Sequence, residues 1–185
     1  MGAEDFPPPR MRTLVTPAAT LEPLVAGHAR EMFAVLSDPA IYEFENEPPA
    51  SEAWLAERYA RLERRTSPDG SQQWLNWVVR LPDGQLAGYV QATLLRSGTA
   101  LVAYELASRY WRRGLGRAAV SAVLDELRTG YGVHTFAAVL KAANFRSEGL
   151  LVKLGFVRDT PAQDSEIRVA ADELFMTRAA STPDA

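Results

Sequence analysis

Four arginines surround two glycines in the segment RYWRRGLGRAAVSAVL, residues 109–124, where the pattern predicts that a helix begins. A helix N-terminus carries roughly half a positive charge, so an arginine placed there costs about 0.3 to 1 kcal/mol instead of stabilising the helix. Gly114 and Gly116 would let backbone N–H groups approach a phosphate with no Cβ in the way. Arginine side chains could then bind its outer oxygens. The segment therefore predicts an anion-binding loop, and the alternative is a solvated basic turn.

Two nucleotide-binding motifs compete for this loop. GLGRAA at residues 114–119 fits the dinucleotide pattern G-x-G-x-x-A and predicts NAD binding by a Rossmann-type oxidoreductase. Such a site also needs an acidic residue about 20 positions on, but the following strand ends in Leu140 and Lys141. A P-loop needs Gly-Lys-Ser/Thr, whereas Gly116 is followed by Arg-Ala. Both nucleotide interpretations are therefore weak.

Hydrophobic periodicity predicts the elements that position the loop. RTLVTPA reads as a strand, and LEPLVAGHAREMFAVLSD and EAWLAERYARLERR as two helices with an acidic loop between them. From residue 72 the period changes to that of three antiparallel strands with turns at PDG and SG. A helix ended by Gly130 and Gly132, a buried strand, a helix closed by Gly155 and a last strand follow. This order predicts an α+β or mixed α/β sheet.

Composition limits the class of protein. The chain has 185 residues, 47% hydrophobic and 23% charged, which suits one domain at residues 12–180 with a flexible lead-in at 1–11 and a flexible tail at 181–185. A net charge of -3 argues against nucleic acid as a partner. The absence of cysteine and the presence of two histidines make a metal site unexpected.

No run approaches the roughly 18 apolar residues of a membrane span, so we expect a cytoplasmic protein with no membrane partner. Symmetry base rates alone leave a homodimer plausible.

Two motifs together resemble the GNAT superfamily of acyl-CoA-dependent N-acyltransferases. Its pyrophosphate loop, Arg/Gln-x-x-Gly-x-Gly/Ala, is matched by WRRGLG from the second residue onward, with Trp111 in the first position. NFRSEGLLVKLGF at 144–156 matches a second element, Asn-x-x-Ser-x-x-x-Leu-x-Lys-Leu-Gly-Phe. An aromatic residue at position 111 and the loop SDPAIYEFENEPPASEAWL are similar to the branch that acetylates ribosomal-protein N-termini. The resemblance spans residues 12–178.

The resemblance implies the GNAT fold: a central, mostly antiparallel sheet flanked by about four helices and splayed between its fourth and fifth strands. Acetyl-CoA would lie in that gap with its pyrophosphate on the loop backbone, while backbone groups of Leu106 and Ala107 hold the pantetheine and polarise the thioester carbonyl. Asn144 and Ser147 would hold the cofactor arm; the structural alternative is that Asn144 ends a strand and Ser147 caps the next helix. The implied cofactor-binding residues are Leu106, Ala107, Arg112, Arg113, Gly114, Leu115, Gly116, Arg117, Asn144 and Ser147.

The catalytic groups usual in the family are missing. The position of its tyrosine general acid is Leu151, and residues 99–101 hold no acid where a base often lies. Glu105 is the nearest carboxylate and is the candidate catalytic residue. Strand alternation places it on the face opposite Tyr104 and Leu106, so a surface-facing Glu105 is the alternative.

The acceptor is expected to be a primary amine. Glu43, Glu45 and Glu47 in the acidic loop would attract an ammonium group, although such a loop is also commonly just solvated. Deprotonating a lysine at pH 7 costs about 4.6 kcal/mol and an α-amine about 1 kcal/mol, so a weakly equipped site suits an α-amine better.

We therefore expect an N-acetyltransferase that passes the acetyl group of acetyl-CoA directly to a protein or peptide N-terminus or a small amine in a ternary complex. The rival hypothesis is a GNAT-fold module that binds acyl-CoA as a sensor or partner-binding protein, without turnover.

Overall fold

A single eight-stranded sheet is the frame of the molecule in this computed structural model, which describes residues 10–163 and 165–180. The strand order is β1-β2-β3-β4-β5-β6-β8-β7. The strands are β1 (Leu14–Val15), β2 (Thr20–Pro23), β3 (Gln73–Arg80), β4 (Leu86–Leu94), β5 (Thr99–Leu106), β6 (Thr135–Lys141), β7 (Val157–Asp159) and β8 (Glu173–Ala179). The helices are α1 (Ala29–Leu36), α2 (Glu52–Leu62), α3 (Leu115–Tyr131) and α4 (Phe145–Lys153).

The antiparallel meander is confirmed as β3, β4 and β5. Both connections turn through a glycine with positive φ, Gly84 at 88° and Gly98 at 75°, a conformation that other residues rarely adopt. Successive side chains of these strands point to opposite faces of the sheet, and each face contributes to a separate hydrophobic core. One core packs the sheet against α3 and α4 and contains the fully buried Trp77; the other packs it against α1 and α2 around Val78.

The sheet opens between β5 and β6, as the GNAT resemblance implies. These strands pair in parallel only where Thr99–Leu101 lies beside 135–137. Beyond Leu101 the two strands diverge, and a gap replaces the hydrogen bonds between β5 and β6. In chain order the parting strands are the fifth and sixth, because Thr20–Pro23 forms an additional strand.

Several boundaries differ from the periodicity-based prediction. Residues 20–23, mostly assigned to the first helix, pair with β3, and the α-helix begins only at Ala29. β7 was not predicted because its three residues are all exposed and carry no apolar alternation. Gly130 lies inside α3, which ends before Gly132 at a φ of 65°.

The predicted lead-in and tail fall mostly outside the described residues. Residues 1–9 and 181–185 are not described, whereas Met11 packs against the core. Arg12, the next residue, forms an ion pair with the buried Glu126 at 2.5 Å.

Candidate active site

A cavity of about 1470 Å³ occupies the gap between β5 and β6. It is bounded by the acidic loop, α2, the start of α3 and α4. The sequence-predicted residues that line it are Glu45, Glu47, Glu105, Leu106, Arg112, Gly114, Gly116, Arg117, Asn144 and Ser147. Those that do not line it are Glu43, Ala107, Arg113 and Leu115. Most of the predicted site is thus brought to one cavity from separate parts of the chain.

The N-terminus of α3 is built to receive an anion. Gly114 occupies the N-cap position at a φ of 79°, so no side chain caps the helix, and its first turn contains no acidic residue. The first backbone bond of the helix runs from the N–H of Ala118 to the carbonyl of Gly114, which leaves the N–H groups of residues 115–117 without an intrahelical acceptor. Free donors at the positive end of a 17-residue helix fit a phosphate.

The arginines beside this terminus are available to a ligand. Arg112, Arg113 and Arg117 are exposed, and within the described part of the chain none of their side chains forms an ion pair or a hydrogen bond. Arg112 has a φ of 60°, a left-handed conformation that is unfavourable for a residue with a side chain. The loop therefore holds strain and unbalanced positive charge in the same place.

The two glycines have different roles. A Cβ on Gly114 would meet nothing within 4 Å, so this side of the loop is open to a ligand. A Cβ on Gly116 would come within 3.1 Å of Leu150 and 3.3 Å of Leu106. Gly116 therefore also lets α3 approach β5 and α4 closely. Leu115 is buried in the core, so that only its backbone could contribute to the site.

The backbone at the end of β5 corrects the expectation for Ala107. Its N–H donates to the carbonyl of Ala87 at 2.9 Å and its carbonyl accepts from Tyr110 at 3.0 Å, so neither group is free to hold a pantetheine. Because antiparallel pairing alternates, the backbone of Leu106 points the other way, toward the gap. Its carbonyl accepts the indole N–H of Trp111 at 2.7 Å. Trp111 thereby fixes the turn that leads into the arginine loop.

Asn144 and Ser147 take roles different from those in the structural alternative. Asn144 is the cap of α4, since its Oδ1 accepts the N–H of Ser147 at 3.1 Å. Ser147 instead pairs its hydroxyl with that of Tyr104 at 2.9 Å. Burial raises the pKa of Tyr104 to about 12, so the phenol stays protonated at neutral pH. Sequence reasoning gave Tyr104 no role, although alternation places it beside Leu106 on the cofactor face.

Leu151 supplies no polar group to the cavity chemistry, because it is 1% exposed and packs in the core. Among the described residues that line the cavity, Tyr104 brings a hydroxyl to α4 from the opposite wall.

Glu105 lies in the wall of the cavity and is partly buried. It faces away from Tyr104 and Leu106, as alternation predicts, but the acidic loop and α2 cover that face. Asn46 donates from Nδ2 to Glu105 Oε1 at 3.1 Å, and Tyr89 is its partner in register on β4. Burial raises the pKa of Glu105, and the side chains of Tyr89 and Asn46 offset part of that increase. A carboxylate of this kind can accept a proton within the cavity.

The acidic loop is fastened to α4 around one side chain. Arg146 forms an ion pair with Glu43 and lies over the rings of Phe44, Trp111 and Phe145 at 4.9, 4.7 and 5.1 Å. We call these five residues the Arg146 cluster. The pairing balances the charge of Glu43. The neighbouring Glu45 accepts a 3.3 Å bond from the Asn144 amide, and Glu47 lines the cavity.

An open sheet that parts beside an uncapped, glycine-led helix is the architecture of a CoA-dependent acyltransferase. The acetyltransferase (GNAT) domain family matches residues 19–157, more than half of the chain, and the protein belongs to that family. Its fold and site thus define a GNAT-type acetyltransferase.

Known proteins share this organisation at low sequence identity. The uncharacterized N-acetyltransferase p20 of Bacillus licheniformis is 23% identical over 158 residues, covering 84% of this chain and 88% of that protein. The ribosomal-protein-S5-alanine acetyltransferase of Vibrio fischeri has a TM-score of 0.74 at 17% identity, covering 91% and 97% of the two chains. Spermidine N-acetyltransferase of Vibrio cholerae, solved with CoA and spermine, has a TM-score of 0.71 at 20% identity, covering 89% and 96% of the two chains.

The described helices include none with the length and hydropathy of a membrane span.

Proposed function

We propose that this protein transfers the acetyl group of acetyl-CoA to a primary amine by direct attack within a ternary complex. The amine nitrogen forms an amide bond to the acetyl carbon while the thioester C–S bond breaks, and CoA leaves as the thiolate. The observation that carries the proposal is that one cavity joins the uncapped N-terminus of α3 to the partly buried carboxylate of Glu105. The first feature suits a pyrophosphate and the second suits a proton acceptor.

The cofactor side is formed by this chain's backbone and arginines. The N–H groups of residues 115–117 and the side chains of Arg112 and Arg117 would bind the pyrophosphate, and the backbone N–H of Leu106, whose carbonyl is occupied by Trp111, would align the pantetheine arm. Asn144 and Ser147 would lie along the same arm, whereas the exposed Arg113, which does not line the cavity, would contribute its charge from outside. When bound, acetyl-CoA supplies an activated thioester.

The acceptor side is formed by Glu105 and the acidic loop. Glu105 accepts the proton released from the amine, and its raised pKa brings it closer to the pKa of an α-amine than that of an exposed carboxylate. Glu45 and Glu47 line the approach and attract an ammonium group, while Glu43 acts through the Arg146 cluster. Tyr104, protonated at neutral pH, already directs its hydroxyl at Ser147, whose carbonyl oxygen accepts a hydrogen bond from it at 3.2 Å.

A sensor without turnover is the second candidate, and the burial of Leu151 where the family places an acid favours it. Calorimetry with acetyl-CoA, combined with thiol release in the presence of N-terminal peptides and small amines, separates the two. Turnover with at least one amine supports the transferase. Tight acetyl-CoA binding with no thiol release above background for any acceptor supports the sensor.

A further inference from the structure

A second recess continues the active-site cavity along α2. It has a volume of about 470 Å³ and shares four lining residues with the main cavity: Arg58, Leu62, Asn76 and Gln91. Asn76 and Gln91 are partners in register on β3 and β4, so their amide side chains lie side by side on the sheet face. The two spaces therefore form one continuous path with a polar floor.

The recess is cationic. Arg58, Arg61 and Arg64 line it, all three exposed and spaced three residues apart. Arg58 lies over the Trp54 ring at 5.7 Å. Within the described part of the chain, the side chain of neither Arg61 nor Arg64 forms an ion pair or a hydrogen bond.

Nearby carboxylates are engaged elsewhere or stand apart. Glu63 accepts the N–H of Ala26 at 3.0 Å, and Asp69 accepts hydrogen bonds from Ser67 and Ser71. Glu57 lies one turn before Arg61 but forms no ion pair with it. Arginines at the end of a helix stabilise it, but that role does not require them to line a recess that continues the acceptor site.

The path has opposite charges at its two ends. Glu105, Glu45 and Glu47 line the main cavity, whereas Arg61 and Arg64 line only the recess. A ligand that spans the path has the most favourable electrostatic interaction if its charge is positive in the main cavity and negative in the recess. A polyamine would place a second cation against Arg61 and Arg64.

We propose that the acceptor is an amine that also carries an anionic group, a carboxylate or a phosphate, which Arg61 and Arg64 bind. The inference rests on the proposed function and specifies its substrate class. A rise of about 1.5 Å per helical residue places Arg61 about 5 Å beyond Arg58 along α2. Since an extended peptide covers about 3.3 to 3.6 Å per residue, peptides of increasing length place the carboxylate at increasing distances from the amine.

The test compares matched acceptors. Alanyl peptides of two to four residues are supplied as the free acid and as the C-terminal amide, with a peptide amide carrying phosphoserine and with spermidine. We expect kcat/KM for the best free acid to exceed that of its amide about tenfold, the low end for a charge-assisted bond. The phosphoserine arm shows whether phosphate replaces carboxylate, and spermidine should be a poor acceptor.

The double variant Arg61→Gln/Arg64→Gln should remove most of the difference between acid and amide without changing the Kd of acetyl-CoA. Glutamine keeps the helix propensity at position 61, and Arg64 lies in the turn after α2. Arg30→Gln, which removes an exposed arginine on α1 that lines neither space, is the matched control and should preserve the difference.

Equal turnover of acid and amide, or a difference that survives in the double variant, would overturn the inference. Spermidine as the preferred acceptor would do the same. If no acceptor is turned over, the proposed function fails. Calorimetric binding of acid and amide to the acetyl-CoA-loaded protein then still decides whether the arginines bind an anion.

Discussion

Among single residues, Glu105 is held where the protein opposes its charge. Burial beneath the acidic loop raises its pKa, whereas Asn46 and Tyr89 stabilise the carboxylate in part. A carboxylate that is hard to ionise in a cavity wall destabilises the folded protein. A residue with a purely structural role gains nothing from such a placement.

Replacing Glu105 with glutamine should separate activity from stability. We expect Glu105→Gln to lower kcat about 100- to 10,000-fold, the range of general base catalysis, with little change in the Kd of acetyl-CoA. Because its pKa in the folded state lies above the ordinary value of 4.5, the folded state binds more protons than the unfolded state between the two values. Stability is therefore lost as pH rises through that window, and the variant should melt at a higher temperature at pH 7 and lose this advantage below pH 4.5. A variant with unchanged kcat would remove Glu105 from the mechanism.

Arg112 offers a second contrast between stability and ligand affinity. Its φ of 60° costs about 1 kcal/mol or more in a residue with a Cβ, so Arg112→Gly should stabilise the free protein by about 1 kcal/mol. The same change should weaken acetyl-CoA binding about ten- to a hundredfold if the side chain binds a phosphate oxygen. Melting curves and calorimetry test both effects. A variant that is destabilised and keeps full affinity for acetyl-CoA would assign Arg112 a structural role.

The surroundings of some of these residues can be predicted from the sequence and those of others cannot, for a physical reason. Gly114, Arg112 and Asn144 stand in short motifs, so their spacing predicts their neighbourhood. Asn46 and Arg146 fill positions that no motif specifies, and their contacts could not be predicted because their partners lie 59 and 103 positions away and the fold alone brings them together.

At the scale of elements, the acidic loop between α1 and α2 is positioned from several directions. Asp38 at its start accepts the N–H of Ser108 at 2.7 Å, Asn46 holds Glu105, and the Arg146 cluster fastens its middle to α4. The loop thus links the acceptor side to the elements of the cofactor side.

Releasing the loop should affect the acceptor first. Arg146→Ala removes the ion pair with Glu43 and the contact with the Phe44 ring, which together stabilise the attachment of the loop to α4 by about 1 to 2 kcal/mol. We expect the KM of the acceptor to rise about tenfold, with a smaller change in the Kd of acetyl-CoA. Arg158→Ala is the control, since it breaks only a 2.6 Å ion pair with Glu148. Equal effects of the two variants on the acceptor KM would show that the cluster does not hold the acceptor loop.

Periodicity predicts the long elements better than the short ones. The meander and α3 have the length and alternation that identify them. Hydrophobic periodicity does not separate β2 from the helix that follows, because four residues are too few to show alternation. The pairing of β2 with β3 is a tertiary contact.

For the molecule as a whole, the two cores meet along a sheet that parts between β5 and β6. One side of the gap presents helix dipole and arginines, and the other presents carboxylates. In the proposed function, this division would place the donor and the acceptor on separate paths that meet in the middle, as direct transfer requires. The chain contains no cysteine, so transfer does not depend on a thiol of the protein.

A single-turnover experiment tests direct transfer in one measurement. Protein in slight excess over acetyl-CoA is mixed with an α-amine peptide and quenched over time, and the intact masses of peptide and protein are recorded. We predict that the acetylated peptide forms with a single rate while the mass of the protein stays unchanged. An acetylated protein that forms before the acetylated peptide, or acetyl-CoA that stays bound and intact with every acceptor, would contradict the account.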